Sequence, residues 1–170
     1  MISPSALHIL AFTSGLLASP WGLIGQEISL PLGTQAPQAH LQDLDGSPVQ
    51  ILDYAEPGKP TLIEFWASWC GNCRRLQPQL DRIQTDWGAR INIVAVAVAV
   101  SQTQDQVKKH VEEKDIGYTY LWDADGEVVN AYEIGGTGIV VILDAAGKVA
   151  YTGSGGAQNL VGEVQKLLEG

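Results

Sequence analysis

Residues 91–100, INIVAVAVAV, carry β-branched side chains on one face and small ones on the other. The run is too short and too strand-like to cross a bilayer as a helix, so it reads as a buried strand at the centre of a sheet. Its neighbours extend the pattern. TLIEFWA (61–67) is a second buried strand, and Leu76, Leu80, Ile83 and Trp87 recur at helical spacing from Gly71 onward. A helix is expected from about 104 to 114, with Val107 and Val111 inward, followed by a short strand in YTYLW and a short helix in DADGEVVNAYEI. GIVVILD and KVAYTG flank AAG as a hairpin, and AQNLVGEVQKLLEG closes the chain as a helix on Leu160, Val161, Val164, Leu167 and Leu168. Upstream, AHLQDLDGSPVQIL alternates about Asp45-Gly46, the strongest hairpin signal in the chain. YAEPGKP reads as a turn. Parallel crossovers first and an antiparallel hairpin last imply an α/β three-layer sandwich: a central mixed sheet, helices on both faces, and an added N-terminal β-hairpin.

The chain has 170 residues, enough for one domain with a good core and a short extra segment. Its formal net charge of -9 argues against a nucleic-acid or anionic-membrane surface. No Lys or Arg precedes Lys59, and ALHILAFTSGLLASPWGLIG (6–25) is apolar and uncharged. Residues 1–32 are expected to be an apolar signal or anchor segment with a Gly/Pro-punctuated linker, and 33–170 the domain. The stretch lacks a basic n-region and is interrupted by Pro20, Gly22 and Gly25.

Two cysteines, Cys70 and Cys73, are the whole thiol complement. They admit three readings: a redox couple, half of a metal site, or a staple. A disulfide between them closes a tiny loop and restrains the unfolded chain little, which disfavours the staple. Two thiolates supply half a tetrahedral metal site, with nothing nearby in sequence for the other half. Redox chemistry suits the position better. Cys70 sits where strand gives way to helix, where free N–H groups and the helix dipole favour a thiolate. Cys73, one turn on, is placed to attack a mixed disulfide at Cys70. Cys70 is therefore expected as the exposed nucleophile and Cys73 as the shielded resolving thiol. Glu64, between Ile63 and Phe65, is a carboxyl in a buried strand, and burial raises such a pKa; it is the candidate proton acceptor for Cys73. Arg74 and Arg75 read as a solvated helix face. Trp66 reads as core and Trp69 as a partly exposed, substrate-facing ring. His8, His40 and His110 are scattered and read as surface or linker positions. The glycine-rich GTGIVV and GSGGAQ lack the strand–loop–helix pattern and lysine of a phosphate site.

EFWASWCGNCRRLQP resembles the active-site segment of thioredoxin-fold proteins. Residues 33–168 resemble thiol–disulfide oxidoreductases of the TlpA/ResA type. Trp-Cys-x-x-Cys carries the resemblance, together with Pro78 at the helix-kinking position and Glu64 at the family's buried acid. The resemblance implies a thioredoxin-like sandwich and a protein-disulfide reductase that works without a cofactor or metal. It further implies an exported or membrane-anchored setting, in the periplasm or its equivalent. Its partners would be disulfide-containing protein substrates and a membrane thiol donor that recycles it, and the protein is expected to be a monomer. Trp69, Gly71, Asn72, Thr137 and Gly138 are the implied substrate contacts.

One position departs from the family. A cis proline is expected before the strand facing the cysteines, and Gly138 stands there, after Thr137. A non-proline cis bond costs ~2.5–4 kcal/mol, so a trans bond with glycine dihedrals is expected, and Gly138→Pro is expected to alter turnover but not the fold. Strand-like docking of substrate on the Thr137 backbone would survive the change. Peroxiredoxins share the GTQAP…LDG opening, but their Pro-x-x-x-Thr-x-x-Cys arrangement meets Ile63 and Ala67 here. A metal-binding module of the same fold, and an oxidant or isomerase, are the remaining alternatives.

Overall fold

In a computed structural model, which describes residues 28–113 and 117–170, the order is that read from the sequence. β1 (His40–Asp43) and β2 (Pro48–Gln50) lead through a 3-10 turn (Ile51–Tyr54) to β3 (Thr61–Trp66). α1 (Gly71–Trp87), β4 (Asn92–Val98), α2 (Gln104–Glu112), β5 (Thr119–Asp123) and α3 (Glu127–Ala131) follow, then β6 (Ile139–Leu143), β7 (Val149–Ser154) and α4 (Leu160–Glu169). The apolar run 6–25 and His8 lie outside the described residues.

The described strands form one sheet in the order β2-β1-β5-β4-β3-β6-β7, which puts β4 at its centre. β3, β4 and β5 are parallel, and β6, β7, β1 and β2 flank them antiparallel. This is the thioredoxin-like sandwich with its added hairpin. Leu62 and Trp66 of β3 and Ala95 and Ala97 of β4 face Leu76, Leu80 and Ile83 of α1, Val107 of α2, and Leu160 and Val164 of α4. Ile63, Phe65, Val94 and Val96 face the other way, onto Ile51, Val128 and Tyr132. The alternation in INIVAVAVAV thus separates the two layers. Ala95 and Ala97 leave room beneath α1, and Val94 and Val96 fill the opposite face.

One local feature differs from the sequence reading. The turn before β3 begins earlier, as the 3-10 helix over Ile51–Tyr54, because Ile51 is buried and draws the chain inward. At the start of the domain, residues 33–36 dock beside β7. Gly33 donates to the Val149 carbonyl at 2.7 Å, Val149 donates to Thr34 at 2.9 Å, and Gln35 bridges to Lys148. Ala36 and Ala39 are buried there, small enough for the backbone to lie against the sheet.

Candidate active site

β3 is buried along its whole length, and the chain turns at its end directly into α1. Cys70 is the N-cap of that helix, in extended conformation, and its N–H donates to Ala67 at 3.0 Å. One turn on, the backbone N–H of Cys73 donates to Cys70 Sγ at 3.1 Å. A helix N-terminus leaves its first N–H groups without intrahelical acceptors, and here a sulfur takes one of them. The same interaction, with the helix dipole, favours negative charge on Cys70 Sγ when the pair is reduced. In the structure the two sulfurs are joined as a disulfide. The expected difference in exposure is not found: Cys70 is 3% exposed and Cys73 6%. The strand end and first helical turn cover both residues, so exposure does not distinguish the two thiols and the hydrogen bond does.

Glu64 points to the α1 side of the sheet from the middle of β3 and is 4% exposed. It lines a narrow cavity with Trp66, Cys70, Cys73, Arg74, Gln77, His110 and Tyr120. The cavity holds about 10 Å³, at the threshold for one water molecule. Its far wall continues into a ring stack. Tyr120 meets Trp66 edge-on with centroids 5.6 Å apart and stacks on Tyr118 at 5.4 Å. Tyr118 Oη donates to Asp81 Oδ1 at 3.0 Å, and Gln77 Nε2 donates to both. Burial pushes both tyrosine hydroxyls well above their ordinary range; Tyr120 and Asp81 add to the effect on Tyr118, and Glu64 to that on Tyr120. Both therefore stay neutral hydroxyls at physiological pH.

Gly138 lies against the first turn of α1. Its peptide is trans and its φ is +73°, as expected of glycine there. The expectation that proline would leave the fold intact is overturned by the backbone. Gly138 N–H donates to Phe65 at 2.8 Å, its carbonyl accepts from Gly155 at 2.9 Å and Gln158 Nε2 at 3.1 Å, and an added Cβ would stand 2.7 Å from Asn72 Cβ. Proline has no N–H and cannot reach that φ. The GSGG turn serves the same packing: a Cβ on Gly156 would stand 2.5 Å from Arg75 Nε and 3.1 Å from the Asn72 carbonyl. Both Arg74 and Arg75 are exposed; Arg75 hydrogen-bonds Asn72 Oδ1, while Arg74 borders the cavity. Pro78 lies inside α1, where it withholds an N–H from the helix ladder.

Beyond the carboxyl ends of β4 and β5 lies a groove of about 460 Å³, walled by Trp69, Val100, Val129, Ile134, Gly136 and Thr137. Trp69 is 47% exposed, and its indole is fixed by donation from Nε1 to the Val100 carbonyl at 2.8 Å. Open α/β sheets bind ligands at this end of their strands. Asp123 sits on the groove floor, buried. Its carboxylate accepts from Val129 at 2.9 Å and Val128 at 3.3 Å, capping α3. Burial holds that carboxyl above the usual carboxylate range, against the N–H groups of Val129, Val128 and Glu127 that pull it down.

Two residues the sequence reading passed over, Gln102 and Gln158, and one it placed elsewhere, His110, belong to the site's frame. Gln102 Oε1 accepts from Ser68 N at 2.9 Å and Oγ at 2.8 Å, while its amide donates to Val98, tying the cysteine turn to β4. Gln158 holds Gly138 and Gly155 together. His110, read as a surface or linker position, is half-buried on Trp66 with ring centroids 5.7 Å apart. A lone Gln carries no sequence signal, but His110 did: it follows Val107 by three residues, on the same helix face. His40 is exposed and pairs with Glu127 at 3.0 Å. Among the described residues no three His, Cys, Asp or Glu side chains are grouped to hold a metal ion. Ile63 and Ala67 are buried, with no hydroxyl three residues before Cys70.

The family model described as AhpC/TSA matches residues 32–152. Thioredoxin-like protein YneN of Bacillus subtilis (strain 168) is 29% identical over 126 residues, 73% of this chain and 72% of that protein. Thiol-disulfide oxidoreductase ResA of Geobacillus thermodenitrificans is 27% identical over 124 residues, 73% of this chain and 70% of that protein. A candidate thiol:disulfide interchange protein DsbE from Chlorobium tepidum superposes with a TM-score of 0.71 at 28% identity, over 82% of this chain and 99% of that one.

Proposed function

The chain belongs to the AhpC/TSA family, as a thioredoxin-fold thiol–disulfide oxidoreductase related to ResA and DsbE, and on that premise we propose that it reduces disulfides of exported proteins through Cys70 and Cys73. The observation that carries this reading is the hydrogen bond from Cys73 N–H to Cys70 Sγ at the start of a 17-residue helix. It marks Cys70 as the sulfur best able to hold a charge.

The Cys70 thiolate attacks one sulfur of a substrate disulfide, forming a mixed disulfide and releasing the other sulfur as a thiolate. Cys73 then passes its proton to the Glu64 carboxylate and attacks Cys70 Sγ. The second substrate thiolate leaves, and the Cys70–Cys73 disulfide seen in the structure is regenerated. Two electrons pass to the substrate, and an external dithiol donor, held in a membrane, restores the reduced pair. Glu64 serves as base because it lines the same narrow cavity as both cysteines. Substrate lies along Thr137 and Gly138, over Gly71 and Asn72, with a side chain in the apolar groove beside Trp69.

Neither residue between the cysteines, Gly71 or Asn72, is acidic or histidine. The reductive direction follows from the TlpA/ResA resemblance. The extracytoplasmic setting rests on the uncharged run 6–25 as a signal or anchor, with 1–32 set apart from the domain. Among the described residues no helix is long and apolar enough to cross a membrane. The working unit is a monomer, with one redox couple per chain.

The test is disulfide trapping. Cys73→Ser, reduced and mixed with a disulfide-bonded protein such as insulin, accumulates a mixed disulfide at Cys70. Accumulation at Cys73 in Cys70→Ser instead, or in neither variant, contradicts the reading.

A further inference from the structure

His110 occupies the seventh position of α2, on the inward face it shares with Val107. Its imidazole lies on the Trp66 indole and lines the cavity that holds Cys70, Cys73 and Glu64. Imidazole is the side chain whose unperturbed charge change falls between about pH 5 and 8, where a redox thiol must ionise. From this placement we infer that His110 is a positioning residue of the redox reaction, whose imidazolium form favours the Cys70 thiolate and the Glu64 carboxylate. The inference rests on the proposed reading of Cys70 as the attacking sulfur.

The charges facing His110 define the sign of the effect. From β3 comes Glu64; from α1 come Cys70, Cys73 and Arg74; from β5 comes Tyr120, a neutral hydroxyl throughout this window. On its own helix and just beyond it, Lys109 and Glu113 are exposed and of opposite sign. Arg74 gives the cavity a fixed positive charge, which favours the thiolate equally at every pH. His110 gives it a charge that titrates. Below the imidazole midpoint, His110 is positive and a neighbouring anion is favoured; above it, that support is withdrawn. Glu64 acts in the opposite sense on the thiol, because a second negative charge in a small cavity disfavours thiolate. The three groups therefore titrate as a coupled set, and the thiolate appears over a wider pH range than one isolated thiol would give.

The experiment titrates the Cys70 thiolate by its ultraviolet absorbance in the reduced full chain across the acid-to-neutral range. Wild type is compared with His110→Gln, His110→Lys, Glu64→Gln and, as a surface control, His40→Gln. His110→Gln is expected to narrow the curve, leaving only the coupling to Glu64, and to raise its midpoint by about one pH unit. His110→Lys keeps a positive charge and is expected to restore a low midpoint while keeping the narrower curve. Glu64→Gln is expected to lower the midpoint, and His40→Gln to leave it in place. A His110→Gln curve superimposable on wild type overturns the inference. So does an equal shift in His110→Gln and His110→Lys, which would mark a packing role on Trp66. Mapping the first alkylated cysteine by mass spectrometry keeps the two readings apart. Alkylation first at Cys73 contradicts the reading of Cys70, and alkylation at Cys70 with no His110 effect contradicts only this inference.

Discussion

The backbone N–H of Cys73 points at the sulfur of Cys70 from 3.1 Å, so one turn of helix holds both sulfurs of the couple and distinguishes one from the other. The donor belongs to the backbone of the proposed resolving residue, and the acceptor is the sulfur proposed to attack. On the proposed reading, removing the Cys73 thiol leaves the first attack but blocks release, and removing the Cys70 thiol blocks both steps, which the trapping experiment above exploits.

Glu64 gives the second prediction. Glu64→Gln keeps the shape of the side chain but cannot take a proton, so release of the mixed disulfide is expected to slow by about 10²-fold or more. Formation of the mixed disulfide, which uses the Cys70 thiolate, is expected to change far less. Stopped-flow measurement of the two phases checks this, and equal effects on both would remove Glu64 from the mechanism.

The elements that build the site were legible because each has a strong periodicity. TLIEFWA, the helix from Gly71 to Trp87 and INIVAVAVAV stand in the structure nearly where the apolar spacing puts them. Glu64 was legible because a charge inside such a strand is costly and demands a reason. The frame around the cysteines was not legible. Gln102 and Gln158 act through side-chain hydrogen bonds that reach across 34 and 20 residues, to Ser68 and Gly138, and no local pattern announces them. The near-equal burial of the two cysteines was hidden for a related reason: it is set by how the turn before α1 folds over β3, which helix spacing does not encode.

Gly138 carries the third prediction, on stability. Its φ of +73° disfavours any side chain, and the nearest atom to an added Cβ is Asn72 Cβ at 2.7 Å. Gly138→Ala is expected to cost about 1–3 kcal/mol in urea denaturation. Gly138→Pro is expected to cost more, since it also removes the hydrogen bond to Phe65. An unchanged midpoint for Gly138→Pro would mean this segment is not held against α1 as described.

Asp123 gives the fourth, on pH. Burial, the largest influence, raises its carboxyl above the ordinary value of 3.8 in the folded state. The folded chain therefore binds that proton more tightly than the unfolded chain. Its contribution to stability is full below about pH 3.8 and is lost as pH rises through the elevated folded value. Relative to Asp123→Asn, wild type is expected to lose stability as pH rises from about 3.8 toward neutral. Urea denaturation of both at several pH values measures this, and parallel profiles would contradict it.

The direction of electron flow is the central claim, and the equilibrium reduction potential of the Cys70–Cys73 couple tests it most directly. Titration against dithiothreitol and glutathione, with alkylation of free thiols as the readout, gives the value. A potential near or below about -240 mV is predicted, in the range of proteins that donate electrons to other disulfides. A potential at or above about -180 mV would contradict the account, because a couple that oxidising takes electrons from its partners.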